Sequence, residues 1–255
     1  MKKVNFTLIL FIFLIITSCD KKNESFPIEK RYWTVEDYKN VILELKFGIE
    51  KDEKLPSLSD PETKIIVEKL IDSQNYEIVL DDKELGLKHK NEVAQGFFNA
   101  WKDMTTIYNE TDRKDNYLYE IEMIGVYKFG LGLQLYYFKL GNDEIIESED
   151  DPNSEQVQNI INRNVNTLIG NYTAYLNLIN EESSFSENGI NSYAQGIDEF
   201  FPELIENNPN GDYSEMENKI TLLEKKCNSQ VIKTSLKNIQ KLIDSKKSKE
   251  KIEEL

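Results

Sequence analysis

The chain contains one histidine, His89, which lies between two lysines in the segment Leu87–Lys88–His89–Lys90. An imidazole can act as a general base when a second group orients it. The sequence shows no recognisable partner for His89, so we expect a surface residue rather than a catalytic one. The chain also lacks the GxSxG, HExxH, glycine-rich phosphate-loop and Walker motifs. We therefore predict no catalytic residue, and an enzymatic activity stays uncertain.

Carboxylates are abundant, and their densest run is the segment Asn142 to Asp151, NDEIIESEDD. An EF-hand calcium loop alternates its ligands and places a glycine at the sixth position. The run has neither feature, so we interpret it as a solvated acidic connector and predict no metal site and no cofactor. Glu120 and Glu122 are two residues apart and would point to different faces of a helix. A carboxylate pair built from residues distant in the sequence stays open.

Two groups of aromatic residues could contribute to a binding surface. Tyr32 and Trp33 precede the first predicted helix, where they either pack against it or form an exposed patch. Tyr136, Tyr137 and Phe138 follow one another and would cover much of a helix circumference, so one ring could line a cavity or groove. Packing in the core is the commoner role of such residues.

The first 19 residues have the pattern of a secretory signal peptide. Lys2 and Lys3 form a basic start, the stretch Phe6 to Ile16 is almost wholly apolar, and Thr17 and Ser18 precede Cys19. A charged start, a short apolar core and small residues at the cleavage point define such peptides. The apolar run is shorter than the roughly 20 residues that a membrane-spanning helix requires. We therefore predict that residues 1–18 are removed.

The cysteine directly after this segment resembles the lipobox of bacterial lipoproteins. The resemblance implies that Cys19 is acylated and becomes the lipid-anchored N-terminus, with residues 19–31 as anchor and charged tether. An ordinary cleaved secretory peptide is the alternative. Residues 20–24 are similar to the export tags of surface lipoproteins in Bacteroidota-type bacteria, although a solvated tether explains them equally well. The implied location is the cell envelope, outside the cytoplasm, and the outer membrane in a Gram-negative cell.

Cysteine counting bounds the chemistry further. Once Cys19 is acylated, only Cys227 remains, so an intrachain disulfide is excluded. Cys227 continues the helical stripe of Ile220 and Leu223, which predicts a buried thiol. One histidine and one free cysteine are too few for a Cys/His zinc site.

The charge of the chain restricts its partners. The formal net charge is −15, and loss of Lys2 and Lys3 with the signal peptide leaves −17. Such a body repels nucleic acid and anionic lipid head groups, so we expect no nucleic-acid binding and a domain that stands off its membrane. The charge either serves solubility alone or suits a basic protein or peptide as partner.

Hydrophobic periodicity predicts a mainly α-helical single domain of about seven or eight helices over residues 32–245, followed by a charged, fraying tail at 246–255. Thr34 and Asp37 resemble a capping box, and Ser186 is a further helix cap. Asp60–Pro61 and Asp151–Pro152 predict helix starts. Tyr76 to Leu80 is the best strand candidate. Pro202 is expected to kink or split its helix.

The most apolar stretch, residues 124–138, is ambiguous. Leu131, Leu133 and Leu135 alternate as in a strand, and each glycine would cost a helix about 1 kcal/mol relative to alanine. Tyr127, Leu131 and Leu135 nevertheless keep helical spacing, and glycines could let a neighbouring helix approach closely. We favour a central buried helix.

Two functional hypotheses follow from these features. The body is similar to helical lipoproteins of unassigned role in Bacteroidota-type bacteria, and this similarity implies no site residue besides Cys19. The preferred hypothesis is an envelope-anchored module that binds a protein or peptide, for example an immunity-type protein that neutralises a basic toxin. The alternative is an enzyme or small-ligand binder with a carboxylate-based site inside the bundle.

Overall fold

The structure, a computed structural model, describes residues 26–114, 118–178 and 185–253. Within these ranges it contains seven long helices, two helices of seven residues, and no strand. The helices are α1 (Val35–Glu50), α2 (Lys64–Leu70), α3 (Gln74–Leu80), α4 (Leu87–Lys114), α5 (Glu120–Ser148), α6 (Glu155–Tyr175), α7 (Glu187–Asn207), α8 (Ser214–Lys226) and α9 (Gln230–Glu253). The predicted mainly α-helical single domain is confirmed. None of the helices in these ranges is both long and apolar enough to cross a bilayer.

Helix α5 is the centre of the domain and contacts α4, α6 and α7. Residues 124–138 lie wholly within it, so the helical interpretation of this stretch is correct. Its side chains are buried on several sides, among them Ile124, Val126, Phe129, Leu131 and Leu133. Burial all round outweighs the low helix propensity of its glycines, because packing contributes more than intrinsic preference.

Two predicted helix caps are confirmed and two predicted helix starts are wrong. Thr34 and Asp37 form a reciprocal capping box, and the Ser186 side chain accepts the Gly189 N–H at 3.1 Å. Asp60–Pro61 and Asp151–Pro152 begin turns instead, and the helices start later, at Lys64 and Glu155.

The segment Tyr76 to Leu80 is helical, so the predicted strand is wrong. Tyr76 and Leu80, four residues apart, are both buried, whereas Ile78 between them is 48% exposed. This is the burial pattern of a helix face, and packing of that face overrides the strand preference of the aromatic and β-branched residues.

Three helices continue past their predicted limits. Helix α5 extends through most of the acidic connector and ends at Ser148. At the start of this extension, Lys139 and Asp143 form an i,i+4 ion pair. Helix α7 is not split at Pro202, since Phe201, Leu204 and Ile205 keep its face buried. The backbone of α9 is helical past Ser245 to Glu253.

The described part of the expected tether lies against the domain. We call residues 26–33 the N-terminal strap. Trp33 is fully buried, and its indole N–H donates to the Pro27 carbonyl at 2.9 Å. The Lys69 ammonium donates to the carbonyls of Lys30 and Arg31 at 2.8 and 2.7 Å. These contacts leave only residues 20–25 between Cys19 and the docked chain.

Candidate functional site

The residues that the sequence analysis considered for their reactive side chains do not lie together in the structure. His89 lies on the surface, as expected, with 58% of its side chain exposed and Glu92 at 4.0 Å. Cys227 is buried, which confirms the prediction for that thiol. Among the described residues, no group of three or more His, Cys, Asp or Glu side chains is arranged to hold a metal ion. Cys19 lies outside the described residues.

The buried carboxylates bind loops rather than one another. Glu122 accepts the Ser57 hydroxyl at 2.8 Å and the Leu58 N–H at 2.6 Å. Glu120 accepts the Ser186 N–H at 2.8 Å and also its hydroxyl. Because the two side chains reach different segments, they follow the prediction that they point to different faces of α5. Each one stabilises the segment before a helix, which is a structural role.

A groove between α5, α6 and α7 is the best candidate for a binding site. Its volume is about 440 Å³. Its apolar lining combines side chains of α5 and α6: Leu135, Tyr136, Phe138, Ile161, Val165 and Leu168. A cleft of this size with a mainly apolar lining and a few polar groups is typical of ligand and peptide sites.

The polar rim of the groove carries two carboxylates and one lysine, together with asparagines. Glu203 on α7 and Asp143 on α5 line it, together with Lys139, which pairs with Asp143. The Tyr136 hydroxyl donates to Asp81 at 3.0 Å. Burial raises the pKa of the Tyr136 phenol, and its hydrogen bond to Asp81 adds to the effect, so the hydroxyl stays a donor at neutral pH. Glu203 therefore offers a carboxylate to a cationic group, whereas Asp143 already pairs with Lys139.

The three consecutive aromatic residues at 136–138 have two different roles, since two line the groove and one packs against another helix. Tyr136 and Phe138 line the groove, whereas the Tyr137 ring stacks on Phe98 with centroids 4.3 Å apart. The sequence indicated that one ring could line a groove. The groove residues on α6 and α7, such as Val165 and Glu203, could not be predicted from the sequence, because only the tertiary packing places them opposite Tyr136.

Comparison of the chain with protein-family models, curated protein sequences and solved structures finds no match.

Proposed function

We propose that this chain is a lipid-anchored protein of the bacterial cell envelope whose helical domain binds a basic protein or peptide. The observation that carries the proposal is the groove between α5, α6 and α7, which combines an apolar lining with a polar rim that includes the carboxylate of Glu203. An amphipathic segment with cationic residues complements both parts, since apolar side chains fill such a groove and charge complementarity orients the partner. An immunity-type protein that captures a basic toxin is one form of this function.

The anchor is supported by the lipobox-like sequence that ends at Cys19. Stable anchoring requires two or more acyl chains, and each buried methylene contributes about 0.8 kcal/mol. Replacing Cys19 with alanine should abolish fatty-acid labelling and processing before residue 19. Labelling that persists in Cys19→Ala would contradict the anchor.

The binding function is tested by capture with a matched pair of variants. The mature chain is immobilised and exposed to an envelope extract of its own bacterium, and retained proteins are identified by mass spectrometry. Val165 lines the groove and is half-buried, whereas Thr167, also on α6, is exposed. Val165→Glu should reduce retention of a stoichiometric partner at least tenfold, while Thr167→Glu should retain it fully.

The ionic part of the proposal is tested on the same column. High salt should elute the partner, because salt screens exposed charges beyond about 10 Å at 0.1 M. Equal retention by Val165→Glu and Thr167→Glu, with both variants shown to be helical by circular dichroism, would place the partner outside the groove. Retention that is insensitive to salt would remove the argument from charge.

A small-ligand binder is the second candidate, because the volume of the groove lies in the range of about 300–1,000 Å³ that small-molecule sites occupy. Native mass spectrometry of the purified protein would reveal a bound small molecule. Loss of that molecule in Val165→Glu, but not in Thr167→Glu, would favour this candidate over a peptide partner.

A further inference from the structure

An exposed apolar patch lies beside the start of the N-terminal strap. Phe26 and Phe47 line one cavity of about 250 Å³, at the C-terminal end of α1. The Phe47 side chain is 51% exposed, and Leu43, one helical turn earlier on the same helix, is 63% exposed. We call the exposed Leu43 and Phe47, together with the half-buried Phe26 beside Phe47, the Phe47 patch. Large apolar side chains grouped at a surface indicate an interaction site.

The charge around the Phe47 patch differs from that of the whole body. Residues 39–54 carry four lysines and four carboxylates, so this segment is neutral, whereas the full chain has a net charge of −15. The Lys51 ammonium lies 3.8 Å from the centre of the Phe47 ring. Lysines beside an exposed aromatic ring suit a membrane surface, where the stem lies on apolar groups and the ammonium meets phosphate. A neutral end meets less repulsion from anionic head groups than a surface with the average charge of this acidic body.

The number of residues between Cys19 and Phe26 makes this end the one nearest to the anchor. Between Cys19 and Phe26 lie only residues 20–25, which span at most about 25 Å when fully extended. A domain of this size is about 45 Å across. The tether is therefore too short for the domain to turn its opposite side to the membrane. The docked strap thus places the face that bears Phe26 toward the bilayer.

We propose that the Phe47 patch rests on the lipid bilayer that holds the anchor, with Phe47 and Leu43 in the head-group region. This proposal replaces the expectation from net charge alone that the whole domain stands off its membrane. The proposal rests on the lipid anchoring proposed above, because the short tether restricts orientation only when Cys19 is in the membrane. Phe47 and Leu43 add apolar contact to the acyl chains, which stabilises anchoring and fixes the orientation of the domain.

The test measures the depth of position 47 in the full, lipidated chain. Phe47→Cys is labelled with an environment-sensitive fluorophore, and Leu222→Cys on α8 is the matched control, since Leu222 is also an exposed apolar residue, at 42%. Cys227 is buried, and a parent chain without the new cysteine measures any background labelling. Each protein is reconstituted in phosphatidylethanolamine–phosphatidylglycerol vesicles with brominated acyl chains, which quench fluorophores that enter the bilayer.

Quenching at position 47 should exceed quenching at position 222 several-fold, with a blue-shifted emission at position 47 alone. Equal, weak quenching at both positions would overturn the proposal. Flotation of the same samples separates the two proposals. A chain that floats with the vesicles but is not quenched at position 47 retains its anchor and lacks the bilayer contact. A chain that fails to float lacks the anchor, and the orientation argument is then overturned with it.

Discussion

The indole of Trp101 on α4 lies directly against Gly130 on α5. A Cβ at Gly130 would overlap the Trp101 ring, and the indole N–H donates to the Val126 carbonyl at 3.0 Å. The absence of a side chain at position 130 thus lets α4 approach α5 closely. This contact lies in the most extensive helix pair of the described structure.

Gly130→Ala should therefore destabilise the domain, although alanine is the better helix former. Overpacking of a core contact costs about 1–3 kcal/mol, which exceeds the gain in helix propensity of about 1 kcal/mol. Gly141 on the same helix is the control, because a Cβ there would meet nothing within 4 Å. Urea unfolding should show a lower free energy of unfolding for Gly130→Ala and a higher one for Gly141→Ala. A stabilised Gly130→Ala would contradict the close approach.

How far the sequence predicted the fold depends on the range of the interactions involved. The Thr34–Asp37 capping box was predictable because its bonds join residues three apart. The strand predicted at Tyr76 to Leu80 was wrong because its burial is decided by distant helices. Asp60–Pro61 was misleading for a local reason, since an Asp–Pro pair suits a turn as well as a helix start.

The candidate site was less predictable than the fold. Tyr136 and Phe138 could be suspected from the aromatic triplet, but no local pattern connects them with Val165 or Glu203. The roles of Glu120 and Glu122 could not be predicted either, because their hydrogen-bond partners lie more than sixty residues away. Glu120 bonds to Ser186, and Glu122 bonds to Ser57 and Leu58. Local spacing predicts which face a side chain occupies and not what lies opposite.

Glu122→Gln should destabilise the domain by about 1–3 kcal/mol. The buried carboxylate accepts a hydroxyl and a backbone N–H, and bonds to a charged acceptor are stronger than those to a neutral amide. Glu147→Gln, an exposed change on the same helix, should stay within about 0.5 kcal/mol. Chemical unfolding measures both. If Glu122→Gln abolishes partner capture while stability is unchanged, its role is functional and the structural interpretation is wrong.

The stability of the domain should fall at acidic pH partly through Asp37. Burial alone would raise the pKa of Asp37, but hydrogen bonds from Lys30 and Thr34 outweigh it and lower the pKa below its ordinary value. This contribution is fully present above the unfolded pKa, about 3.9, and is lost as pH falls through the lower folded value. Asp37→Asn should lower the free energy of unfolding by about 1 kcal/mol at pH 7, as loss of a helix cap does, and the difference should vanish near pH 2.

The control for Asp37 is Asp103→Asn. Asp103 forms an exposed ion pair with Lys46 at 3.0 Å, and such surface pairs contribute little. Unfolding curves measured across the acid range should therefore show a pH-dependent difference for Asp37→Asn only. An equal difference from wild type at pH 2 and pH 7 would mean that Asp37 does not titrate with folding.

Asp52→Gly should stabilise the domain. Asp52 follows the end of α1 with φ of 61°, while the Glu53 N–H donates to the Gly48 carbonyl at 2.9 Å and the Asp52 N–H to that of Ile49 at 3.0 Å. This is a Schellman motif, whose left-handed position favours glycine. We expect a gain of about 0.5–1 kcal/mol for Asp52→Gly and a loss of similar size for Asp52→Ala, measured by thermal unfolding. The opposite order would exclude the left-handed conformation.

Lys69→Met should increase the local opening of the N-terminal strap without unfolding the domain. Lys69 donates to the carbonyls of Lys30 and Arg31, and methionine retains the aliphatic bulk while removing both bonds. Because the ammonium is partly solvated, the loss should be about 1 kcal/mol, which raises local opening about fivefold. Hydrogen exchange measured by mass spectrometry should therefore accelerate in the peptide 26–33 and stay unchanged in α9. A strap that exchanges no faster in Lys69→Met would show that other contacts, such as the Trp33–Pro27 bond, are sufficient to hold it.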